Sequence, residues 1–436
     1  MAKISIMTLG CKVNQYESAS IAETLKRDGH EIAGFADSVD IFIINTCTVT
    51  GKTDYQSRQL IRRAHRSNPA ARIIVTGCYA QVDSAALARL PGVSLVAGTA
   101  EKDAIPEMIQ KIDGSQPQVA VGDIRRPLTF STSPATFFDG HTRAFLKIQD
   151  GCENFCSYCI VPHARGRCRS LEPCDVLDRL HVLAGKGYRE AVLTGIHLGQ
   201  YGRDLNPPTD LLSLLRRIED SDSMARLRLS SIEPLEISDE LISFLARTKR
   251  FCRHLHIPLQ SGDDAILRAM NRSYTTAQFG NLIERLVTEL PGIAIGIDVM
   301  TGFPGETEES FERTRAFLET LPAAYFHVFP YSRRPGTPAA AMPHQVKENV
   351  KKRRAAELRI LGATKRKSFA ENYSRKTVEV LLESAIDRET GLLKGLSDNY
   401  ITVLVEGADP SLKNRMVTVD AYRTHSDAIV GRIARS

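Results

Sequence analysis

Cys152, Cys156 and Cys159 stand at C-x3-C-x2-C spacing in Gly151-Cys152-Glu153-Asn154-Phe155-Cys156-Ser157-Tyr158-Cys159. Three thiolates on one short loop can hold three irons of a 4Fe–4S cube and leave the fourth iron without a protein ligand. An open metal position is the mark of a catalytic site. Zinc is the other reading: His163 would complete a Cys3His set. Phe155 and Tyr158 inside the loop favour the cube, which aromatic rings can cover.

Three more cysteines share a different pattern. Cys11 follows Ile4-Ser5-Ile6-Met7-Thr8, Cys47 follows Ile43-Ile44-Asn45-Thr46, and Cys78 follows Ile73-Ile74-Val75-Thr76. Each closes a strand-like run. In a parallel sheet the carboxyl ends of the strands share one edge, so three thiols distant in sequence would converge there. Gly10 and Gly77 would let the backbone approach closely. Each cysteine alone reads as a small buried hydrophobe. The same position in successive βα units instead favours a second three-thiolate cluster.

The elements that must position these thiols can be read from periodicity. Strands are expected at Lys3–Thr8, Asp40–Asn45 and Arg72–Thr76, with helices at Tyr16–Asp28, Thr53–Arg66 and near Ala80–Leu90. That alternation predicts a parallel α/β domain over 1–114, followed by a linker at 115–140 without periodicity. Six further strands are expected at Phe145–Ile148, Glu190–Leu193, Arg226–Ser230, His254–Pro258, Ile293–Val299 and Tyr325–Phe329. With intervening helices they suggest a partial (β/α)6 barrel within 141–370. By analogy with full barrels, its site lies at the strand carboxyl ends. A basic helix at 346–372 trails it. Five short strands over 371–436 suit a small β-barrel.

Composition narrows the class. The chain has 436 residues, 42% hydrophobic and 25% charged, which suits about three globular domains. No apolar run reaches the ~18 residues of a membrane span. Met1-Ala2-Lys3-Ile4-Ser5-Ile6 enters a strand without a signal-peptide core, so a cytoplasmic location is expected. Nine unevenly spaced cysteines in a reducing compartment point to metal or catalysis rather than disulfides. A net charge of +6 permits a polyanionic partner without demanding one.

C-x3-C-x2-C with an aromatic residue before the last cysteine resembles the radical S-adenosylmethionine (SAM) enzymes. That resemblance implies a 4Fe–4S cluster on Cys152, Cys156 and Cys159 whose open iron chelates SAM. Reduction would then split SAM and release a 5′-deoxyadenosyl radical. A three-cysteine N-terminal domain, such a barrel and a small C-terminal barrel together resemble the methylthiotransferases over essentially the whole chain. This implies an auxiliary 4Fe–4S cluster on Cys11, Cys47 and Cys78, and a C-terminal barrel similar to the RNA-binding TRAM domain. Thr8-Leu9-Gly10-Cys11-Lys12-Val13-Asn14-Gln15-Tyr16-Glu17, Leu193-Thr194-Gly195-Ile196-His197-Leu198-Gly199 and His327-Val328-Phe329-Pro330-Tyr331-Ser332 resemble the threonylcarbamoyladenosine branch. The implied product is the 2-methylthio derivative of N6-threonylcarbamoyladenosine beside a tRNA anticodon. The implied partners are tRNA, an external electron donor and a sulfur source.

Residues at the expected strand ends are candidates for SAM contact: Thr194, Gly195, Glu233, Gln260 and Gly302. Arg165 and Arg167 could meet a carboxylate or phosphate, or remain solvated. Cys168, Cys174 and Cys252 read as surplus thiols, and His163 and His197 as weaker ligand candidates. The basic helix could follow tRNA phosphate. Lys376, Lys394, Tyr400, Lys413, Arg415 and Arg423 could meet single-stranded RNA. The competing functions are the same chemistry on isopentenyladenosine tRNA or a ribosomal-protein aspartate, and a non-catalytic zinc-containing RNA-binding protein.

Overall fold

β-branched runs such as Ile41-Phe42-Ile43-Ile44 and Ile73-Ile74-Val75 are apolar on both faces, as a parallel sheet covered by helices requires. A computed structural model describes residues 1–35, 38–112, 116–126, 128–221 and 223–434. Its N-terminal sheet is parallel, with strands in the order Glu31–Ile32, Lys3–Thr8, Ile41–Thr46, Arg72–Gly77, Val93–Ala97 and Gln118–Ala120. Helix Lys12–Arg27 crosses over from the first strand, and helix Gly51–Ser67 opens on a reciprocal Thr50–Thr53 cap. Val93–Ala97 and Gln118–Ala120 were not anticipated. The latter falls inside the expected linker and closes the sheet edge, so the N-terminal unit runs past 114. Residues 114 and 115, where the boundary was placed, lie outside the described residues, as does residue 436 at the end of the C-terminal unit. The rest of the linker is also packed: Ala135 and Phe138 are buried in the barrel's core cluster, with Phe138 edge-on to Phe145.

The central domain has the six expected parallel strands in two ladders. Ala144–Lys147, Glu190–Thr194 and Arg226–Leu229 form one; His254–Gln260, Ala294–Thr301 and Tyr325–Pro330 form the other. They meet at a single bridge, Leu227 to Phe251, and at Ile232 N donating to His256 O at 3.1 Å. Leu146, Val192, Leu229, Ile257 and Ile297 fill the core beneath the mouth.

Helix Glu348–Glu371 packs on the last barrel strand, where Gly362 lets it approach Phe326. Several of its cations are therefore structural. Buried Lys351 donates to Tyr331 O at 3.2 Å, and buried Arg354 pairs with Glu306 at 2.6 Å. Lys365 caps Leu321 O at 2.6 Å. These three cannot lie along a phosphate backbone; Lys352, Arg359 and Lys367 remain exposed.

The C-terminal strands Thr377–Ile386, Leu393–Ser397, Thr402–Glu406, Met416–His425 and Ala428–Ile433 close into a barrel around Val380, Leu382, Val403, Val419 and Ile429. Arg226 and Arg228 anchor it by donating to the carbonyls of Leu396, Ser397 and Asp398 at 2.9, 3.1 and 2.9 Å. Among the described residues no helix is long and apolar enough to cross a membrane.

Candidate functional site

The triplet loop leaves the first barrel strand through Gln149–Asp150, which pairs with Arg169–Ser170. Gly151 follows at φ +78°; a Cβ there would fall 1.9 Å from Arg167 O, so only glycine turns this corner. Cys152 N donates to Gly166 O at 3.1 Å and Ser157 N to Met270 O at 3.0 Å, which ties the loop down on both sides. Arg272 donates to Cys156 Sγ at 3.3 Å. His197 Nδ1 lies 3.4 Å from Cys152 Sγ, while its Nε2 lies 2.7 Å from Glu236 Oε1, close but poorly aligned for a hydrogen bond. Burial opposes charge on His197, but Cys152 and Glu236 raise its pKa to about 9.

The second trio gathers where the strand ends meet. A Cβ on Gly10 would come within 2.7 Å of Cys47 Cβ, and one on Gly77 within 2.3 Å of Thr46 O; both glycines have positive φ. The Cys47 thiol is pushed up to about 12 by burial and by Cys78; Cys11 is raised by burial and also feels Cys78. Cys159 of the triplet is raised to about 12 by burial. Such thiols must give up protons to bind metal, so affinity for metal is paid for by pH-dependent proton release.

All three triplet cysteines and Cys11 of the N-terminal trio reach one cavity of about 790 Å³. Its walls include Cys11, all three triplet cysteines, the strand ends Thr194, Gly195, Glu233 and Gln260, and Tyr400 from the C-terminal barrel. Cys47 and Cys78 are buried and do not line it. The N-terminal domain is clamped over the mouth by Arg334, which donates to Asp54 at 2.6 Å and Thr48 at 2.7 Å, and by Ser332, which accepts from Gly51 N at 2.9 Å.

The cavity's chemistry fits an iron–sulfur cluster on the triplet and a polar cofactor beside it. Thiol trios are the donor set of an iron–sulfur cube with one open iron. Gln260 Oε1 and Ser230 Oγ are buried in the wall without a hydrogen-bond partner, and a buried orphan acceptor is costly unless a ligand meets it.

Similarity to known proteins agrees with this geometry. Residues 3–98 match the uncharacterized protein family UPF0004 and residues 146–318 the Radical SAM superfamily. The chain is 42% identical to "Threonylcarbamoyladenosine tRNA methylthiotransferase MtaB" of Bacillus subtilis (strain 168), over 94% of this chain and 91% of that one. It is 36% identical to the protein of the same name from Aquifex aeolicus (strain VF5), over 93% and 97%. It is also 37% identical to "tRNA-2-methylthio-N(6)-dimethylallyladenosine synthase" of Pelotomaculum thermopropionicum, over 96% and 95%. The chain belongs to the radical SAM methylthiotransferase family. Among solved structures, the radical SAM methyltransferase TsrM from Kitasatospora setae, with tryptophan substrate and a SAM analog bound, shares the fold. The TM-score is 0.57 at 18% identity, covering 78% of this chain and 75% of that one.

Within this methylthiotransferase the expected residues divide. Thr194, Gly195, Glu233 and Gln260 line the cavity, but Glu233 is already paired with Arg272. Gly302 does not line it: its N–H donates to Glu306 at 2.8 Å, and a Cβ there would strike Lys351 Cγ at 2.3 Å. Helix packing, not a ligand, explains that glycine. Tyr158 lines the cavity, whereas Phe155 points outward, 58% exposed. His163 and Arg167 are exposed. Arg165 is neither solvated nor free for a ligand: it is fully buried and paired with Glu17 and Asp150. Cys174 is exposed, Cys252 is buried beside Arg228, and Cys168 donates to Gln200 Oε1 at 2.5 Å.

Sequence reasoning missed one wall altogether. His254 and His256 on the fourth barrel strand, Asp298 on the fifth, and Tyr325 and His327 on the sixth form a polar aromatic cluster. His256 lies 2.9 Å and His327 3.6 Å from Asp298 Oδ1. Burial opposes ionisation of Asp298, but these two histidines hold its carboxyl well below the usual range. Tyr400 stacks on His254 with centroids 4.3 Å apart, so it faces the cavity rather than an outer RNA-binding surface. The period-2 spacing of His254 and His256 was the available signal.

Proposed function

We propose that this methylthiotransferase converts N6-threonylcarbamoyladenosine beside a tRNA anticodon into its 2-methylthio derivative. The observation that carries the reading is the opening of the triplet and of Cys11 from the second trio onto one cavity, in a chain similar over its length to threonylcarbamoyladenosine tRNA methylthiotransferases. Cys152, Cys156 and Cys159 hold one 4Fe–4S cluster; Cys11, Cys47 and Cys78 hold another. The first supplies reductive cleavage of SAM and the second a site for the sulfur to be transferred. An external electron donor and a sulfur source serve them.

The protein's own groups bind, orient and exclude water. Gln260 and Ser230 offer their unpartnered oxygens to the polar parts of SAM, beside Thr194 and Gly195. Arg272 orients Cys156 and neutralises Glu233. Arg334, Asp54 and Ser332 hold the N-terminal domain over the barrel mouth, with Cys11 and the triplet lining the same cavity.

The test is anaerobic reconstitution with metal counting, followed by mass analysis of tRNA nucleosides from a strain lacking the gene. About eight irons per chain are expected. One tightly bound zinc and no iron would favour the non-catalytic alternative. Unchanged methylthiolated threonylcarbamoyladenosine in the deletion strain, with no paralogue present, would refute the substrate assignment. Dimethylallyladenosine tRNA is the second reading, because a relative of that name is 37% identical. Loss of its methylthio form instead would select it.

A further inference from the structure

The cavity carries one lysine that, among the described residues, no carboxylate pairs with. Lys12 follows Cys11 directly and lines the cavity. Among the described residues it has no hydrogen bond or ion pair, and its electrostatic neighbours are Tyr400, Arg143, Arg228 and the Cys11 thiol. The two carboxylates lining the cavity are both engaged: Glu233 with Arg272, and Asp298 with His256 and His327. The neighbouring arginines are engaged as well. Arg143 pairs with Glu383 at 3.4 Å; Arg228 pairs with Glu190 at 2.9 Å and donates to carbonyls of the C-terminal barrel. Lys12 is therefore the lining cation without a carboxylate partner among the described residues, in a wall it shares with Tyr400. A half-buried ammonium with no carboxylate partner favours an anion that joins it in the cavity.

We propose that Lys12, flanked by Tyr400, binds the carboxylate of the threonylcarbamoyl group and thereby selects the substrate. This rests on the function proposed above. Lys12 lies beside the N-terminal thiols rather than the triplet, so the anion it takes belongs to the molecule that meets the sulfur-bearing site. In adenine, carbon 2 and carbon 6 flank the same ring nitrogen. A group anchored through N6 near Lys12 therefore keeps carbon 2 close to the same end of the cavity. A dimethylallyl group has no charge to offer, so the same lysine would disfavour it by leaving the ammonium unpaired. A backbone phosphate of the anticodon loop is the other anion that could reach the cavity, and the test separates the two.

The reconstituted full-length protein should be titrated with anticodon stem-loops carrying threonylcarbamoyladenosine, its carboxamide counterpart, or unmodified adenosine, with methylthiolation followed in parallel. The wild-type protein is expected to bind the carboxylate form at least about tenfold more tightly than the carboxamide, a typical loss for an unpaired charge at a polar site. Lys12→Met should lose that preference by weakening the carboxylate form alone, and Lys12→Arg should restore part of it. Iron content of each variant reports whether the neighbouring cluster has assembled; if Lys12→Met loads poorly, Lys12→Arg and Lys12→Gln decide by the same ratio. Equal weakening of all three stem-loops would assign Lys12 to phosphate and overturn the proposal, as would an unchanged preference. A wild-type protein that methylthiolates none of the stem-loops would instead remove the substrate reading and this inference with it. A wild type active on the carboxylate form beside an indifferent Lys12→Met would remove this inference alone.

Discussion

Arg165 Nε donates to Cys78 Sγ at 3.3 Å, joining the loop just past the triplet to the N-terminal trio. The same guanidinium pairs with Glu17 at 2.5 Å and Asp150 at 3.2 Å and donates to Asn14 at 2.6 Å. Lys102 and Lys147 complete a fully buried network around Glu17. Burial opposes the Glu17 charge, yet Arg165, Lys102 and Lys147 hold its carboxyl below the usual carboxylate range. One side chain thus holds both thiol-bearing elements in register.

Arg165→Met should strand Glu17 and Asp150 without their shared cation. Breaking a buried pair from one side costs about 3–5 kcal/mol, read as a lower thermal midpoint. Arg165→Lys keeps the charge but loses the fork. It should fold, and its reduction potential or spectrum should change at the N-terminal cluster rather than at the triplet cluster. A wild-type spectrum would argue that the Cys78 contact is incidental.

Gly77→Ala forces a Cβ to 2.3 Å from Thr46 O at φ +97°. Positive φ alone costs a non-glycine residue about 1–3 kcal/mol, and the clash adds to it. The expected result is about half the wild-type iron, with the triplet cluster retained. Full iron loading would show that the trio tolerates a displaced strand end.

Replacing Cys152, Cys156 and Cys159 together by alanine should abolish SAM cleavage and leave the N-terminal cluster's spectrum. Retained cleavage would reverse the roles assigned to the two trios.

Gln260→Met removes an acceptor that is orphaned without ligand. The isolated protein should be no less stable, while SAM binding weakens about 5- to 30-fold, the equivalent of one lost hydrogen bond of roughly 1–2 kcal/mol. Equilibrium dialysis measures it; unchanged affinity would place SAM elsewhere.

Glu190 gives a pH prediction. Burial opposes its charge, but Arg228 and Arg226 hold its carboxyl at about 2, against an ordinary 4.5. A depressed acid stabilises fully above its ordinary value, and that contribution is lost as pH falls through about 2. Wild-type protein should therefore lose stability between pH 4.5 and about 2. Glu190→Gln should lack that component and release the C-terminal barrel more readily to protease, since Arg226 and Arg228 dock it. Identical acid profiles would dissociate Glu190 from docking.

The sequence by itself determined the six thiols and the strands that end in them, because C-x3-C-x2-C is local and a cysteine after each apolar β-run is periodic. It also determined the six barrel strands, short runs bounded by turns in which apolar residues alternate with or adjoin Arg226, Arg228, His254 and His256. Gln118–Ala120 escaped notice because it is only three residues long and half-exposed at a sheet edge, whereas Val93–Ala97 is as long as strands that the sequence showed. Only the tertiary structure decided which charges are spent. Arg165, Lys351 and Arg354 look alike in sequence to Lys12, yet the first three are neutralised by carboxylates or carbonyls from distant segments and Lys12 is not. Pairing across tens or hundreds of residues is a property of the packed fold. It also moved Tyr400 from an expected RNA surface to the cavity wall and Gly302 from a ligand contact to a helix contact.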